Sequence, residues 1–165
     1  SRRRCCCSGA RAVRSRMRTV ANPRHLEVLC ERLQRVTPSS ARQWGSMSAH
    51  QMLSHLGDGA EAVLGLRPFP ASARPPRPLL RFVALWLPRK WPHGVRAGAD
   101  PAAKELPPDR FEADRARALD TVRRIALAPA DGLAPSHPMF GAMRRADWQR
   151  WAYLHTDHHL RQFGC

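Results

Sequence analysis

Three histidines near the C-terminal end of the chain have the side chain and the spacing that metal ligands need. His155, His158 and His159 fall within one segment that reads as a helix. On an α-helix, His155 and His159 project from one face about one turn apart, where a single metal ion can bind both. The alternative is a polar, partly exposed histidine cluster, because the pair lacks the glutamate of the H-E-x-x-H zinc motif. Two ligands seldom hold a metal, so a third is needed from elsewhere.

His55 is the best candidate for the third ligand. It lies in the apolar stripe of a second predicted helix, whereas His50 is about 140° around that helix. A lone histidine on an apolar face is more often a core residue than a ligand. A histidine pair on another helix makes the ligand interpretation more favourable. Three imidazoles leave a position open for water, as in catalytic zinc sites. Helical spacing leaves the pair of His155 with His158 open.

The histidine pair is expected to face the interior of the protein. Trp148, Trp151, His155, His159 and Gln162 follow one another in steps of three and four along the predicted helix. An inward imidazole nitrogen without a partner costs about 1 to 3 kcal/mol. We therefore expect the pair to be hydrogen-bonded or liganded.

Four long helices must position these residues. Capping residues and apolar periodicity predict them over residues 23–36, 48–65, 110–127 and 148–163. Their predicted starts rest on Asn22-Pro23, a Ser48/Gln51 capping box, Asp109 and Asp147. A short helix is expected from Leu79 to Leu87, and proline-rich connections join the remainder. No strand pattern is convincing, so the sequence predicts an all-α fold, most simply a four-helix bundle.

Composition limits the classes of function. A chain of 165 residues suits one domain. The net charge of +15 comes almost entirely from arginine, since Lys90 and Lys104 are the only lysines. Such a composition favours a GC-rich genome over specific nucleic-acid binding, although a basic nucleic-acid-binding protein stays an alternative. Residues 1–16 carry six arginines and no acid, and we expect a disordered basic tail that is not native if the natural start is Met17.

The sequence also predicts the compartment. The longest apolar candidate for a membrane segment, Leu79 to Leu87, is interrupted by Arg81 and is far shorter than the roughly 20 residues that cross a bilayer. No membrane partner is therefore expected. The five cysteines have no spacing typical of a disulfide framework or a C-x-x-C site. Together these features predict a cytoplasmic protein.

Several segments resemble a known superfamily. They are Trp44 with the run from Ser48 to Asp58, the run from His155 to Gln162, and three short motifs, Leu85 to Pro88, Lys90 to Val95 and His137 to Gly141. In this order they are similar to an uncharacterised bacterial branch of the DinB-like (DinB/YfiT) superfamily of metalloenzymes. The family ending H-H-R-G-Q appears here as His158-His159-Leu160-Arg161-Gln162, with the arginine displaced by one position.

The resemblance implies a four-helix bundle that holds a divalent metal, zinc or nickel, through His55, His155 and His159. Characterised members of the superfamily include thiol-dependent S-transferases and isomerases. We therefore expect an enzyme that activates water or a low-molecular-weight thiol against a small-molecule substrate, as a hydrolase or S-transferase. A non-enzymatic metal-binding bundle, for stability or small-molecule sensing, is the alternative, and a homodimer stays open.

Residues around the metal ligands are less well assigned by the sequence. Asp58 is the catalytic candidate, as a group that orients an imidazole or a water, with a solvated helix carboxylate as the equal alternative. Asp157 points away from the histidine stripe and is expected in a surface salt bridge. Trp86, Trp91 and Phe140 either line a substrate cavity or belong to the core.

Overall fold

The computed structural model describes residues 17–71, 75–88, 90–94 and 100–165. Its α-helices are α1 (Pro23–Gln34), α2 (Ala49–Val63), α3 (Pro78–Trp86), α4 (Phe111–Leu127) and α5 (Arg145–Gln162). Short 3-10 turns lie at Pro101–Ala103, Pro108–Arg110 and Ala130–Gly132, and a two-stranded antiparallel sheet is formed by β1 (Ser136–His137) and β2 (Gly141–Ala142). The prediction of a mostly helical fold is confirmed. The predicted tail, residues 1–16, lies outside the described residues.

Two helices begin where their capping residues predict. Oδ1 of Asn22 accepts a hydrogen bond from the backbone N–H of Arg24 at 3.0 Å, and Pro23 occupies the first turn of α1. At α2, Oγ of Ser48 accepts from the backbone of Gln51 while Oε1 of Gln51 accepts from the backbone of Ser48. This reciprocal capping box fixes the start of the helix that carries His55.

The predicted caps of the other two long helices are wrong. The N-cap of α5 is Arg144, and Asp147 lies in the first turn, where its carboxylate accepts from the backbone N–H of Arg144 at 3.0 Å. An acidic side chain can accept a backbone N–H at a helix start either from the N-cap position or from three residues inside the helix. The sequence does not distinguish the two positions, which explains the error. Asp109 lies in the 3-10 turn before α4, whose N-cap is Arg110.

The β-hairpin is a second correction, because residues 128–146 were predicted to form a loop. β1 and β2 pair antiparallel, with Ser136 opposite Ala142 and His137 opposite Gly141. Gly141 has a φ of 74°, which favours glycine at this turn. Strands of two residues are too short to show an alternating pattern in the sequence.

The core forms where α2, α4 and α5 meet, with α1 against α4 and α5. Its largest fully buried side chains include Trp148, Leu29, Leu33, Met52, Leu53, Ile125 and Leu160. α3 lies on α5, where Nε1 of Trp86 donates to Asp147 at 2.9 Å and Nε of Arg150 donates to the carbonyl of Leu85 at 2.8 Å. Among the described residues, no helix combines the length and apolar character needed to cross a lipid bilayer.

Candidate metal centre

Three imidazoles from α2 and α5 meet at one point. His55 on α2 faces His155 and His159 on α5, and the ring centroids form a nearly equilateral triangle with sides of 5.0, 4.9 and 4.9 Å. The ring planes are steeply inclined to one another, at 68°, 79° and 89°. One ring nitrogen of each histidine lies within 4.8 Å of the other two. The structure therefore brings together the three histidines that the sequence named as candidate ligands.

The triangle has the dimensions of a metal site. Nε2 of His55 and Nε2 of His155 are 3.1 Å apart. Two imidazole nitrogens bound to one ion at about 2.0 to 2.1 Å are about 3.0 Å apart at octahedral angles and about 3.3 Å apart at tetrahedral angles. The same bond lengths separate the ring centroids by about 4.5 to 5.2 Å. The nitrogen spacing of His55 and His155 and the three centroid spacings fall within these ranges, so the three side chains could hold one divalent ion.

His159 is held in position by a side chain one turn further along α5. Nδ1 of His159 lies 2.9 Å from Oε1 of Gln162, and Nε2 of Gln162 donates to the carbonyl of Trp44 at 2.8 Å. Because the amide donates to Trp44, its oxygen faces His159 and accepts the Nδ1 proton. This tautomer leaves Nε2 of His159 as an unprotonated ligand atom.

Aromatic stacking and a glycine fix the ring of His155. The imidazole stacks on Trp151, with centroids 4.5 Å apart and an interplanar angle of 20°. A Cβ at Gly59 would lie 3.4 Å from Cε1 of His155 and 3.4 Å from Cη2 of Trp151. The absence of a side chain at Gly59 allows α2 to approach these two rings closely.

The surroundings keep all three imidazoles neutral. Burial lowers the pKa of His55; Asp58 opposes this with a smaller effect, and Lys104 lowers the pKa slightly further. Burial and the neighbouring histidines hold the pKa of His155 well below its ordinary value. Burial also lowers the pKa of His159 to about 3, against the effect of the Gln162 hydrogen bond. A metal ion therefore does not compete with protons for these nitrogens near neutral pH.

Asp58 lies in an ion-pair network beside the histidines. Its carboxylate is 2.5 Å from Arg67, 3.0 Å from Arg117 and 3.0 Å from Nζ of Lys104. Burial raises the pKa of Asp58, but hydrogen bonds from Lys104 and Arg117 outweigh this effect and the net pKa is lowered. Nζ of Lys104 also donates to Oγ of Ser54 at 2.8 Å. A carboxylate with three cationic partners favours a structural role over proton transfer.

The remaining histidines named by the sequence lie outside the triangle. His50 is 2.8 Å from Oδ2 of Asp114, on the side of α2 that faces α4. The ring of His158 is 5.2 Å from that of His159, and Nδ1 of His158 is buried without a hydrogen-bond partner within the ranges that the structure describes. The expected salt bridge of Asp157 is confirmed, with Arg32 at 2.7 Å and with Arg161 at 2.9 Å.

Only one of the three proposed wall residues lies at the histidines. The ring of Trp91 is 6.4 Å from that of His155. Trp86 bonds Asp147 near the other end of α5, eight residues or about 12 Å from His155. Phe140 is buried against His137, with centroids 4.6 Å apart. Phe140 therefore belongs to the core, and Trp86 is partly buried against it.

A second aromatic pair, which sequence reasoning did not associate with the site, lies next to Trp91. His93 stacks on Trp44 with centroids 4.0 Å apart and an interplanar angle of 7°. Both rings are about 6 Å from His158, at 6.1 and 5.9 Å. The carbonyl of Trp44 is also the acceptor that orients Gln162. Trp44 thus has two roles: its ring contacts His93 and His158, and its carbonyl orients the Gln162 side chain that supports His159.

The cavities near the cluster are unequal in size. An apolar void of about 10 Å³ lies against His155 and Thr156, enough for about one water molecule. An open groove of about 440 Å³ lies at the N-terminal end of α2, lined by Ser48, His50, Gln51 and residues 102–106. None of the three clustered histidines lines this groove.

Fold and cluster together define a mostly helical protein with a convergent three-histidine site. The chain belongs to the family described as "Protein of unknown function (DUF1569)", whose model matches residues 20–164. No curated protein and no solved structure matches the chain.

The family match corrects the resemblance to the DinB-like superfamily, because the matching family is a distinct one. The displaced arginine at Arg161 was the visible departure from the DinB-like pattern. Histidine spacing on two helices reflects the geometry that ligand pairs require, and unrelated proteins can share it. The chemistry implied by that resemblance therefore loses its family support, and what remains is the geometry of the three histidines.

Proposed function

We propose that this protein is a divalent-metal-dependent enzyme in which His55, His155 and His159 hold the ion. The observation that carries the proposal is the near-equilateral triangle of the three rings, with sides of 5.0, 4.9 and 4.9 Å. The donor set of three neutral imidazoles suits zinc or nickel. When bound, such an ion supplies the Lewis acidity that turns water or a low-molecular-weight thiol into a nucleophile near neutral pH.

The residues of the chain prepare this site before any ligand arrives. Gln162 holds the proton of His159 on Nδ1, and Trp151 fixes the plane of the His155 ring. Trp91 and His158 lie beside the cluster, with the ring of Trp91 6.4 Å from that of His155 and the ring of His158 5.2 Å from that of His159. Ligands held in this way need little rearrangement on binding, which favours affinity and defined geometry.

The proposed reaction class is hydrolysis or thiol S-transfer on a small electrophilic molecule. Three protein ligands leave coordination positions for the nucleophile and the substrate, in contrast to closed structural sites with four. The proposal also includes a four-helix bundle of α1, α2, α4 and α5, supported by the contacts among these helices. A cytoplasmic location is supported by the thiols of Cys30 and Cys165, which form no disulfide within the described part of the chain.

A non-enzymatic metal-binding protein is the second candidate. The observation that favours it is the small void beside His155, whose volume of about 10 Å³ holds no substrate larger than water. This candidate predicts bound metal and no turnover with either water or a thiol.

Metal analysis of the purified protein tests the site. We expect about one zinc or nickel ion per chain, and loss of that ion in the variants His55→Ala, His155→Ala and His159→Ala. His25→Ala is the matched control, because His25 lies on α1 against Tyr153 and outside the cluster. Unchanged metal content in all three variants would exclude the site.

Turnover assays then separate the two candidates. The metal-loaded protein is incubated with small electrophiles in water alone and with added low-molecular-weight thiols. The enzyme proposal expects product formation that disappears in His155→Ala and persists in His25→Ala. Bound metal without product from any thiol or electrophile class supports the non-enzymatic candidate instead.

A further inference from the structure

Helix α3 is apolar on nearly every side. Of its nine residues, Arg81 is the one polar residue. A helix of this composition is normally buried all round. One side of α3 follows that rule, since Leu85 is fully buried. The opposite side exposes Leu79, Phe82 and Val83, with 77%, 54% and 36% of each residue accessible to solvent.

These three residues form one continuous strip, called the α3 face below. Positions 79, 82 and 83 follow the i, i+3, i+4 spacing of neighbours on one side of a helix. The hydrogen bonds from Trp86 to Asp147 and from Arg150 to the Leu85 carbonyl hold the helix on α5. The strip is therefore presented outward by a helix whose other side is fixed in the fold.

The sequence around α3 is basic and contains no acid. Residues 62–99 include no aspartate or glutamate. The seven basic residues of this segment are Arg67, Arg74, Arg77, Arg81, Arg89, Lys90 and Arg96. Arg77, directly before α3, and Lys90, shortly after it, are exposed. Arg81 is 3.9 Å from Asp147. The α3 face is thus flanked by positive charge at both ends of the helix.

Charge and size together indicate what covers this face. A second copy of the chain on a twofold axis would bring Arg77 and Lys90 of both copies together, which costs energy. A nine-residue helix is only about 14 Å long, and its convex strip is much smaller than the roughly 800 Å² that each partner of a stable protein complex buries. A lipid surface brings no second set of positive charges to this face and does not need a contact area of that size. Its acyl region takes up single apolar side chains, and its phosphate groups attract arginine and lysine.

We propose that the α3 face docks the protein onto a membrane surface that contains anionic lipids. Leu79, Phe82 and Val83 enter the boundary between headgroups and acyl chains, while Arg77 and Lys90 lie among the phosphates. The helix is too short to span a bilayer, so the association is peripheral and reversible. The expectation of no membrane partner rested on the lack of a spanning segment and does not apply to contact of this kind. This surface is separate from the histidine cluster, so the membrane proposal does not depend on the proposed function.

Vesicle sedimentation with the full chain tests the proposal. The vesicles are pure phosphatidylcholine or an equal mixture of phosphatidylcholine and phosphatidylserine. We expect binding to the anionic vesicles only, and a loss of about tenfold or more in the partition coefficient of Phe82→Ser and of Leu79→Ser. Both residues are exposed, so neither variant removes a core contact. The arginines of residues 1–16 are present in every variant and contribute equally.

Val28→Ser is the matched control. Val28 is 47% exposed on α1, between Glu27 and Glu31, and its variant is expected to bind anionic vesicles like the wild type. The proposal is overturned if the wild type binds neither vesicle, or if Phe82→Ser and Leu79→Ser bind as well as the wild type. A change in sedimentation-velocity mass of Phe82→Ser, with unchanged vesicle binding, would show instead that the face joins copies of the chain.

Discussion

Oε1 of Gln162 lies 2.9 Å from Nδ1 of His159, one turn along the same helix. The amide is itself oriented by the carbonyl of Trp44. Such supporting residues change metal affinity about 10- to 100-fold when they are removed. Gln162→Leu is therefore expected to lower the affinity for zinc by that factor, measured by competition with a chelator of known affinity. Gln162→Glu keeps an acceptor for Nδ1 and is expected to retain most of the affinity.

Gln149→Leu is the control for this prediction. Gln149 is a buried amide on the same helix that donates to the carbonyl of Ala126 at 2.9 Å. Its replacement lowers stability through a lost buried hydrogen bond but leaves His159 untouched. Equal metal affinities of Gln162→Leu and Gln149→Leu would contradict the supporting role of Gln162.

Replacing each of two glycines with positive φ distinguishes the effect of backbone strain on stability from disturbance of the histidine site. Gly45 (φ 79°) and Gly65 (φ 69°) should each lose about 1 to 2 kcal/mol of unfolding free energy on replacement by alanine. Only at Gly45 would the new Cβ collide, at 2.5 Å from Nε2 of Gln162. Denaturant unfolding in chelator should show losses for both variants, with the larger loss for Gly45→Ala, and zinc titration should show weaker binding for Gly45→Ala alone. Weaker zinc binding by Gly65→Ala would refute this explanation.

The Asp58 network is expected to stabilise the fold. Asp58→Asn leaves Arg117, Arg67 and Lys104 without their shared carboxylate, which should lower the unfolding free energy by about 1 to 3 kcal/mol. A double-mutant cycle with Arg117→Met should show coupling, because the two side chains share one network. Asp120→Asn is the control, since its pair with Arg124 is exposed and contributes less than about 0.5 kcal/mol. Additive losses in the cycle would argue against the network.

His137 should make the fold sensitive to acid. Burial lowers its pKa from 6.5 to about 4, so the unfolded chain binds the proton more readily than the folded one. Its contribution to stability is present above pH 6.5 and declines as the pH falls from 6.5 to 4, by up to about 3 kcal/mol. Unfolding in chelator across this range should show a flatter decline for His137→Gln than for the wild type. Parallel profiles would exclude His137 as the source.

Sequence reasoning predicted the long helices and the pairing of His155 with His159 because both depend on local signals. Asn22-Pro23 and the Ser48/Gln51 box mark helix starts directly. The placement of His155 and His159 follows from a spacing of four residues on α5. By contrast, the contact of Gln162 with Trp44 joins positions 118 residues apart. No local pattern encodes such a contact, since it depends on where a loop returns to the core.

The sequence could not predict the hairpin or the ion pairs of Asp58, for related reasons. β1 and β2 have two residues each, which is shorter than any readable alternation. Asp58 gains its three cations from α4, from residue 104 and from the segment that follows α2. A helix carboxylate looks the same in sequence whether it is solvated or paired, so only the tertiary structure separates the two roles.

His55 and His155 are 100 residues apart in the chain but 3.1 Å apart at their Nε2 atoms. An unfolded chain rarely brings such distant residues together, because closing a long loop costs entropy. An ion held by both would therefore bind the folded chain almost exclusively and act as a removable cross-link between its two halves. Melting temperature would then rise with the logarithm of free ion concentration, and chelation would return the fold to its intrinsic stability.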